Sequence, residues 1–196
     1  MISIKVFSDY VCPFCLLGEQ VLARAIADKD VSVEWMPFEL RPHPAPTLRP
    51  EGEYLQTTWA QSVYPMAAAL NVPMVLPKVS PQPHTHLAFE GYQFAKEQGQ
   101  GEAYTHRMFT AFFQEEQDIG DVEVLTSLAT EVGLDADAFR AALTNRTYRE
   151  QHQRALRQAA QLGISAVPSF VIGNKLVRGL PREEDLARLI DAEMRS

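Results

Sequence analysis

The eight residues Ser8-Asp9-Tyr10-Val11-Cys12-Pro13-Phe14-Cys15 restrict the fold more than any other stretch. They hold the only two cysteines of the 196 residues and place them where the hydrophobic periodicity changes. Before them, Ile2, Ile4 and Val6 alternate as one face of a buried strand should. After Pro13, the residues Phe14, Leu17, Val21 and Ala25 form a helical stripe, flanked by Cys15, Leu22 and Ile26. Proline is tolerated in the first turn of a helix, where its missing N–H has no partner to lose. The spacing therefore predicts Cys12 at a strand-to-helix junction, on the positive end of the helix dipole, where a thiolate is favoured over a thiol. Cys15, one turn inside, is expected to be less exposed. This is the arrangement of a nucleophilic thiol with a resolving partner.

Two cysteines also serve as core hydrophobes, as a structural disulfide, or as half of a zinc site. A core pair does not need a strand–C-P-x-C–helix context. A zinc site needs two more ligands, and His84 and His86, two apart in a proline-rich stretch, are poor ones. Dithiol redox chemistry without metal or organic cofactor is the stronger reading. A net charge of −7 argues against nucleic-acid or anionic-membrane partners. No basic, then apolar leader opens the chain, and no apolar run reaches membrane-spanning length. The expected compartment is the cytoplasm, where a lone cysteine pair serves catalysis more often than structure.

From Met1 to Leu40 the pattern is strand, helix, strand, with Val31, Val33, Trp35 and Phe38 in the second strand and Pro37 marking its end or an edge. A crossover helix in so short a unit implies parallel pairing. Arg41-Pro42-His43-Pro44-Ala45-Pro46 then reads as an extended linker. From about Gly52 to Leu162 nearly everything is helical. Tyr54, Thr58, Val63 and Met66 are expected to mark the inner face of the first segment, with Pro65 kinking it. Prolines keep residues 72–83 extended. Further helices are expected around Leu87 to Ala95 (stopped by Gly99 and Gly101), Tyr104 to Phe113, Leu125 to Val132 capped by Asp121, and Phe139 to Leu143 capped by Asp135. The last begins at a Thr147–Glu150 capping box. Ser169 to Ile172 and Lys175 to Val177 read as a hairpin turned by Gly173-Asn174. A final helix follows Leu180-Pro181, with Leu186, Leu189, Ile190 and Met194 inward. The order implies an α/β, thioredoxin-like fold with an all-helical insertion. The core domain is expected to comprise residues 1–51 and 163–196, and the insertion residues 52–162.

Ser8-Asp9 before C-P-x-C, Phe38-Glu39-Leu40 with Pro42, Asp118-Ile119 with Asp121, and Ala166-Val167-Pro168-Ser169-Phe170-Val171 together resemble the DsbA family. Within it the chain is most similar to the FrnE-like dithiol–disulfide oxidoreductases. The resemblance spans essentially the whole chain and implies a cis Val167–Pro168 bond beside the cysteines, exposing backbone to an extended substrate. Phe14 departs from the tryptophan frequent between the cysteines of FrnE-like members.

The resemblance implies a thiol–disulfide oxidoreductase or isomerase in which Cys12 attacks and Cys15 resolves. Pro13, Phe14, Val167 and Pro168 are the expected substrate-binding residues. Expected partners are thiols and disulfides, protein or glutathione, with glutathione as a co-substrate and a homodimer compatible with the sequence. A glutathione-dependent transferase or isomerase of the kappa or hydroxychromene-carboxylate type is a related alternative. Those enzymes resemble this chain with serine at the Cys12 position. A chaperone-like binder of unfolded clients is a third reading. Phe109, Phe112 and Phe113 are expected in the insertion core, the alternative being that part of the cluster lines a substrate groove facing the dithiol. Asp9 and Glu39 are candidates for proton transfer or for a solvated surface.

Overall fold

A computed structural model describes residues 2–196; Met1, the first residue of the expected core domain, lies outside them. Strand β1 (Ile2–Ser8) leads into helix α1 (Pro13–Ala25) and then into β2 (Val31–Pro37), which pairs parallel to β1 from Ile2↔Val31 to Ser8↔Pro37. The chain returns to the sheet only at β3 (Ser169–Ile172), antiparallel to β1, and turns through Gly173 (φ +61°) into β4 (Lys175–Arg178). The sheet order is β2-β1-β3-β4, so Pro37 both ends a strand and lies on an edge, where a missing N–H breaks no ladder. Between β2 and β3 come the helices: α2 (Glu53–Thr58), a π-helical turn (Trp59–Val63), α3 (Tyr64–Ala69), α4 (His86–Glu97), α5 (Gly101–Phe113), α6 (Val122–Glu131), α7 (Ala136–Thr144) and α8 (Arg149–Gln161). Helix α9 (Glu183–Met194) closes the chain against α1. The architecture is thioredoxin-like α/β with a helical insertion.

Period two on β1 builds two cores. Ile4 and Val6 face one way into a cluster that continues through Leu17, Val21, Phe170, Ile172 and Ile190 and on into the helices at Phe109, Phe112 and Phe113. Phe7 faces the other way, with Met36, Ala159 and Ile164 beneath α8. The sheet and the insertion therefore share buried surface. No helix among the described residues is long and apolar enough to cross a membrane.

Caps formed where the sequence places them at α6, whose Asp121 accepts from the Glu123 and Val124 amides, and at α7, whose Asp135 accepts from Ala138. The Thr147–Glu150 box did not form. Arg146 turns at φ +54°, Tyr148 occupies the cap with its hydroxyl on Glu97, and Glu150 pairs with Arg157. The inner face of α2 and α3 is also not Tyr54 and Met66, which are exposed, but Leu55, Trp59, Val63 and Ala67. The π-helical turn carries this four-residue spacing across the junction. Gly101 opens α5 instead of stopping α4, and Met194 faces solvent because α9 ends there with only Leu186 and Ile190 fully inside.

Candidate active site

A tight turn joins β1 to α1: the Cys12 amide donates to the Asp9 carbonyl at 3.0 Å, and Cys15 donates to the Cys12 carbonyl at 3.0 Å. Cys12 is the N-cap residue, extended at φ −90° and ψ 112°, with Pro13 in the first turn and no side chain capping the helix. The positive end of α1 is thus left facing the Cys12 sulfur. Antiparallel pairing of β3 with β1, Phe7 opposite Ser169, carries the loop before β3 to the same place. There the Cys12 thiol points at the Val167 carbonyl, 3.8 Å away. The Val167–Pro168 bond is cis. Pro168 is buried against Gly18 of α1, where a Cβ would lie 3.2 Å from the proline Cγ, so this close approach needs glycine.

Over Cys12 opens a cavity of about 310 Å³. Cys12, Pro13, Phe14 and Val167 line it, together with Val11, Leu40 and Arg41; Cys15 and Pro168 lie behind its wall. The opposite wall was not legible in the sequence. It comes from Tyr54, Leu55, Thr58 and Trp59 at the start of the insertion and from Gln82, Pro83 and Thr85 before α4. The one signal was Trp59, a large aromatic between Thr58 and Ala60 in a largely polar stretch. It sits in a π-helical turn, a feature that recurs at functional sites, and its buried indole N–H has no partner. Phe109, Phe112 and Phe113 do not line the cavity; Phe113 supports Trp59 from behind at 5.8 Å.

Both cysteines are free thiols. Burial, with Cys12 as neighbour adding to it, pushes the Cys15 thiol well above the ordinary range. Asp9 is 1 % exposed and lines the cavity. Burial raises its carboxyl from 3.8 to about 6, a rise that the Leu40 amide (2.9 Å to Oδ2) and then the Thr85 side chain oppose and the Glu39 charge reinforces. Its Oδ1 has no hydrogen-bond partner. Neither Asp9 nor Glu39 is solvated; the Glu39 side chain is covered by His152. The remaining histidines lie off the site: His106 pairs with Glu19 on another face of α1, and His43 and His84 of the loops gather with His86 at the start of α4. Among the described residues no group of three or more His, Cys, Asp or Glu side chains has the geometry to hold a metal ion.

The family model for the DSBA-like thioredoxin domain matches residues 3–191. The chain belongs to that family. It is 48 % identical to the uncharacterized protein YwbO of Bacillus subtilis (strain 168), over 99 % of this chain and 98 % of that protein. A crystal structure of the probable DsbA oxidoreductase SCO1869 from Streptomyces coelicolor superposes with a TM-score of 0.88 at 26 % identity, covering 100 % of this chain and 91 % of that one. The cytosolic disulfide reductase DsbM from Pseudomonas aeruginosa, solved with GSH, shares the fold at a TM-score of 0.75 and 19 % identity, over 99 % and 100 % of the two chains. This member of the DSBA-like family thus carries its cysteine pair at the strand-to-helix junction of an oxidoreductase fold.

Proposed function

We propose that the chain is a cytoplasmic, FrnE-like thiol–disulfide oxidoreductase. One observation carries the reading: Cys12 lies at the floor of the cavity while Cys15 lies directly behind it, out of reach of substrate. Cys12 thiolate attacks one sulfur of a disulfide RSSR′, forms Cys12–S–S–R and releases R′S⁻, which takes up a proton. Cys15 then gives its proton to the Asp9 carboxylate and attacks the Cys12 sulfur, releasing RS⁻. The net change is one dithiol oxidised to the Cys12–Cys15 disulfide and one substrate disulfide reduced to two thiols. The reverse sequence oxidises substrate dithiols. Direction follows the potential of the pair against that of its compartment.

Asp9 suits the resolving step because a buried thiol with a raised pKa needs a nearby base, and a carboxyl near 6 is ionised yet reprotonates readily around neutrality. Pro13, Phe14 and Val167 offer the apolar and backbone contacts for the sulfur's neighbours, and Pro168 backs them. A cavity of about 310 Å³ takes a small thiol such as glutathione or a single cystine with its flanking backbone. Titration in glutathione redox buffers tests the proposal. The wild type should pass through one two-electron transition between dithiol and disulfide, absent in Cys12→Ser. Glutathione-dependent turnover that survives Cys12→Ser would instead indicate transferase or isomerase chemistry.

A further inference from the structure

Behind Asp9 lies a buried acid–base pair that the disulfide exchange does not itself use. The Nε2 of His152, in α8, lies 2.5 Å from the Glu39 Oε1, with side chains 1 % and 8 % exposed. The two residues are 113 positions apart and belong to the insertion and to the segment that follows β2. Glu39 is flanked by backbone contacts to the end of β1. The Phe38 amide donates to the Ser8 carbonyl at 2.9 Å, and the Leu40 amide donates to the Asp9 carboxylate at 2.9 Å. A second contact runs in parallel. The His152 ring stacks on Phe89 (5.5 Å, 16°), and Phe89 stacks on Tyr10 (4.5 Å, 24°), the residue next to Asp9.

We propose that His152 and Glu39 are positioning residues for Asp9: the pair clamps residues 38–40 against β1, so that the Leu40 amide stays on the Asp9 carboxylate. The clamp does two separable things. Held in place, the amide favours ionised Asp9; the Glu39 charge beside it disfavours ionised Asp9. His152 thus lets a carboxylate stand near Asp9 without losing the hydrogen bond that keeps Asp9 usable as a base. The other charged or titratable groups facing Glu39 are Arg146, from the turn before α8 and paired with Glu90, and His86 of α4, whose charged form burial disfavours. Asp9 is faced in addition by the Cys15 thiol and the Tyr10 hydroxyl.

The proposal rests on Asp9 being the base at the dithiol, and its test reads Asp9 directly. The carboxyl carbon of Asp9 is followed by 13C NMR against pH in the reduced, full-length protein, with Asp9→Asn assigning the signal and the Leu40 amide proton reporting the same midpoint. Glu39→Gln keeps a hydrogen bond to His152 and removes the charge, so the midpoint should fall by about 0.5 unit or more. His152→Leu keeps the charge and releases the clamp. The midpoint should then rise, and the Leu40 amide should cease to follow it. A merely structural pair would lower thermal stability in both variants and leave the midpoint in place. Midpoints that do not move, or that move the same way, overturn the proposal. If His152→Leu does not fold, an unmoved midpoint in Glu39→Gln suffices to overturn it, and a lowered one with Leu40 still following supports it. A wild-type protein that shows no disulfide exchange while the two variants still give the opposite shifts would overturn the functional reading and leave the clamp standing.

Discussion

Asp9→Asn should make the protein more stable above neutral pH while slowing the resolution of mixed disulfides. The folded carboxyl titrates at about 6 against an ordinary 3.8. Because the folded value is raised, the folded state holds its proton more tightly than the unfolded chain does. The stabilisation from the protonated carboxyl is fully present below 3.8 and is lost as pH rises through 6. The difference of about 2.2 units, at about 1.4 kcal/mol each, makes ionised Asp9 unfavourable by about 3 kcal/mol at pH 8. Asp9 is fully buried, so solvent screening does not reduce this figure. Asparagine is nearly isosteric and still accepts from the Leu40 amide, but it cannot ionise. The gain over wild type should therefore grow with pH, from under about 1 kcal/mol at pH 4 to about 3 kcal/mol at pH 8. In a chain of this size that corresponds to roughly 6–12 °C in Tm at the alkaline end. Urea unfolding of both reduced proteins across that range measures it. A difference that stays constant with pH, or a variant less stable at pH 8 than wild type, would refute a buried, raised Asp9.

Other outcomes follow from the same geometry. Iodoacetamide should label Cys12 well before Cys15, because only Cys12 lines the cavity and burial holds Cys15 as the thiol; equal labelling in a peptide map would contradict this. Gly91→Ala should destabilise by about 1–3 kcal/mol despite the better helix propensity of alanine. Its Cβ would lie 2.7 Å from Phe139 Cζ and displace the Tyr104 hydroxyl from the Ala88 carbonyl, and urea unfolding checks it.

Much of the fold was legible because its determinants are local. Alternation in Ile2–Val6, the helical stripe after Pro13, Asp121 and Asp135 as caps, and Gly173-Asn174 as a turn each act over a few residues. The cysteine pair was legible for the same reason. What could not be read depends on residues distant in sequence. Trp59 becomes a cavity wall only when the insertion folds back over α1, and nothing near His152 announces Glu39 as its partner. Asp9 looks like a turn aspartate until the helices bury it. Thr147–Glu150 shows the opposite failure: a valid local signal was overridden by the left-handed turn at Arg146 and by Tyr148 reaching Glu97.

In the proposed exchange Cys12 is the attacking sulfur and Cys15 the one that resolves. The most direct test exposes reduced Cys15→Ser protein to glutathione disulfide and maps the product by mass spectrometry. One glutathione on Cys12, stable until reductant is added, is the predicted result, with the wild type passing on to the Cys12–Cys15 disulfide and retaining no adduct. A Cys15→Ser protein that forms no adduct on Cys12, or a wild type that keeps its adduct, would contradict it.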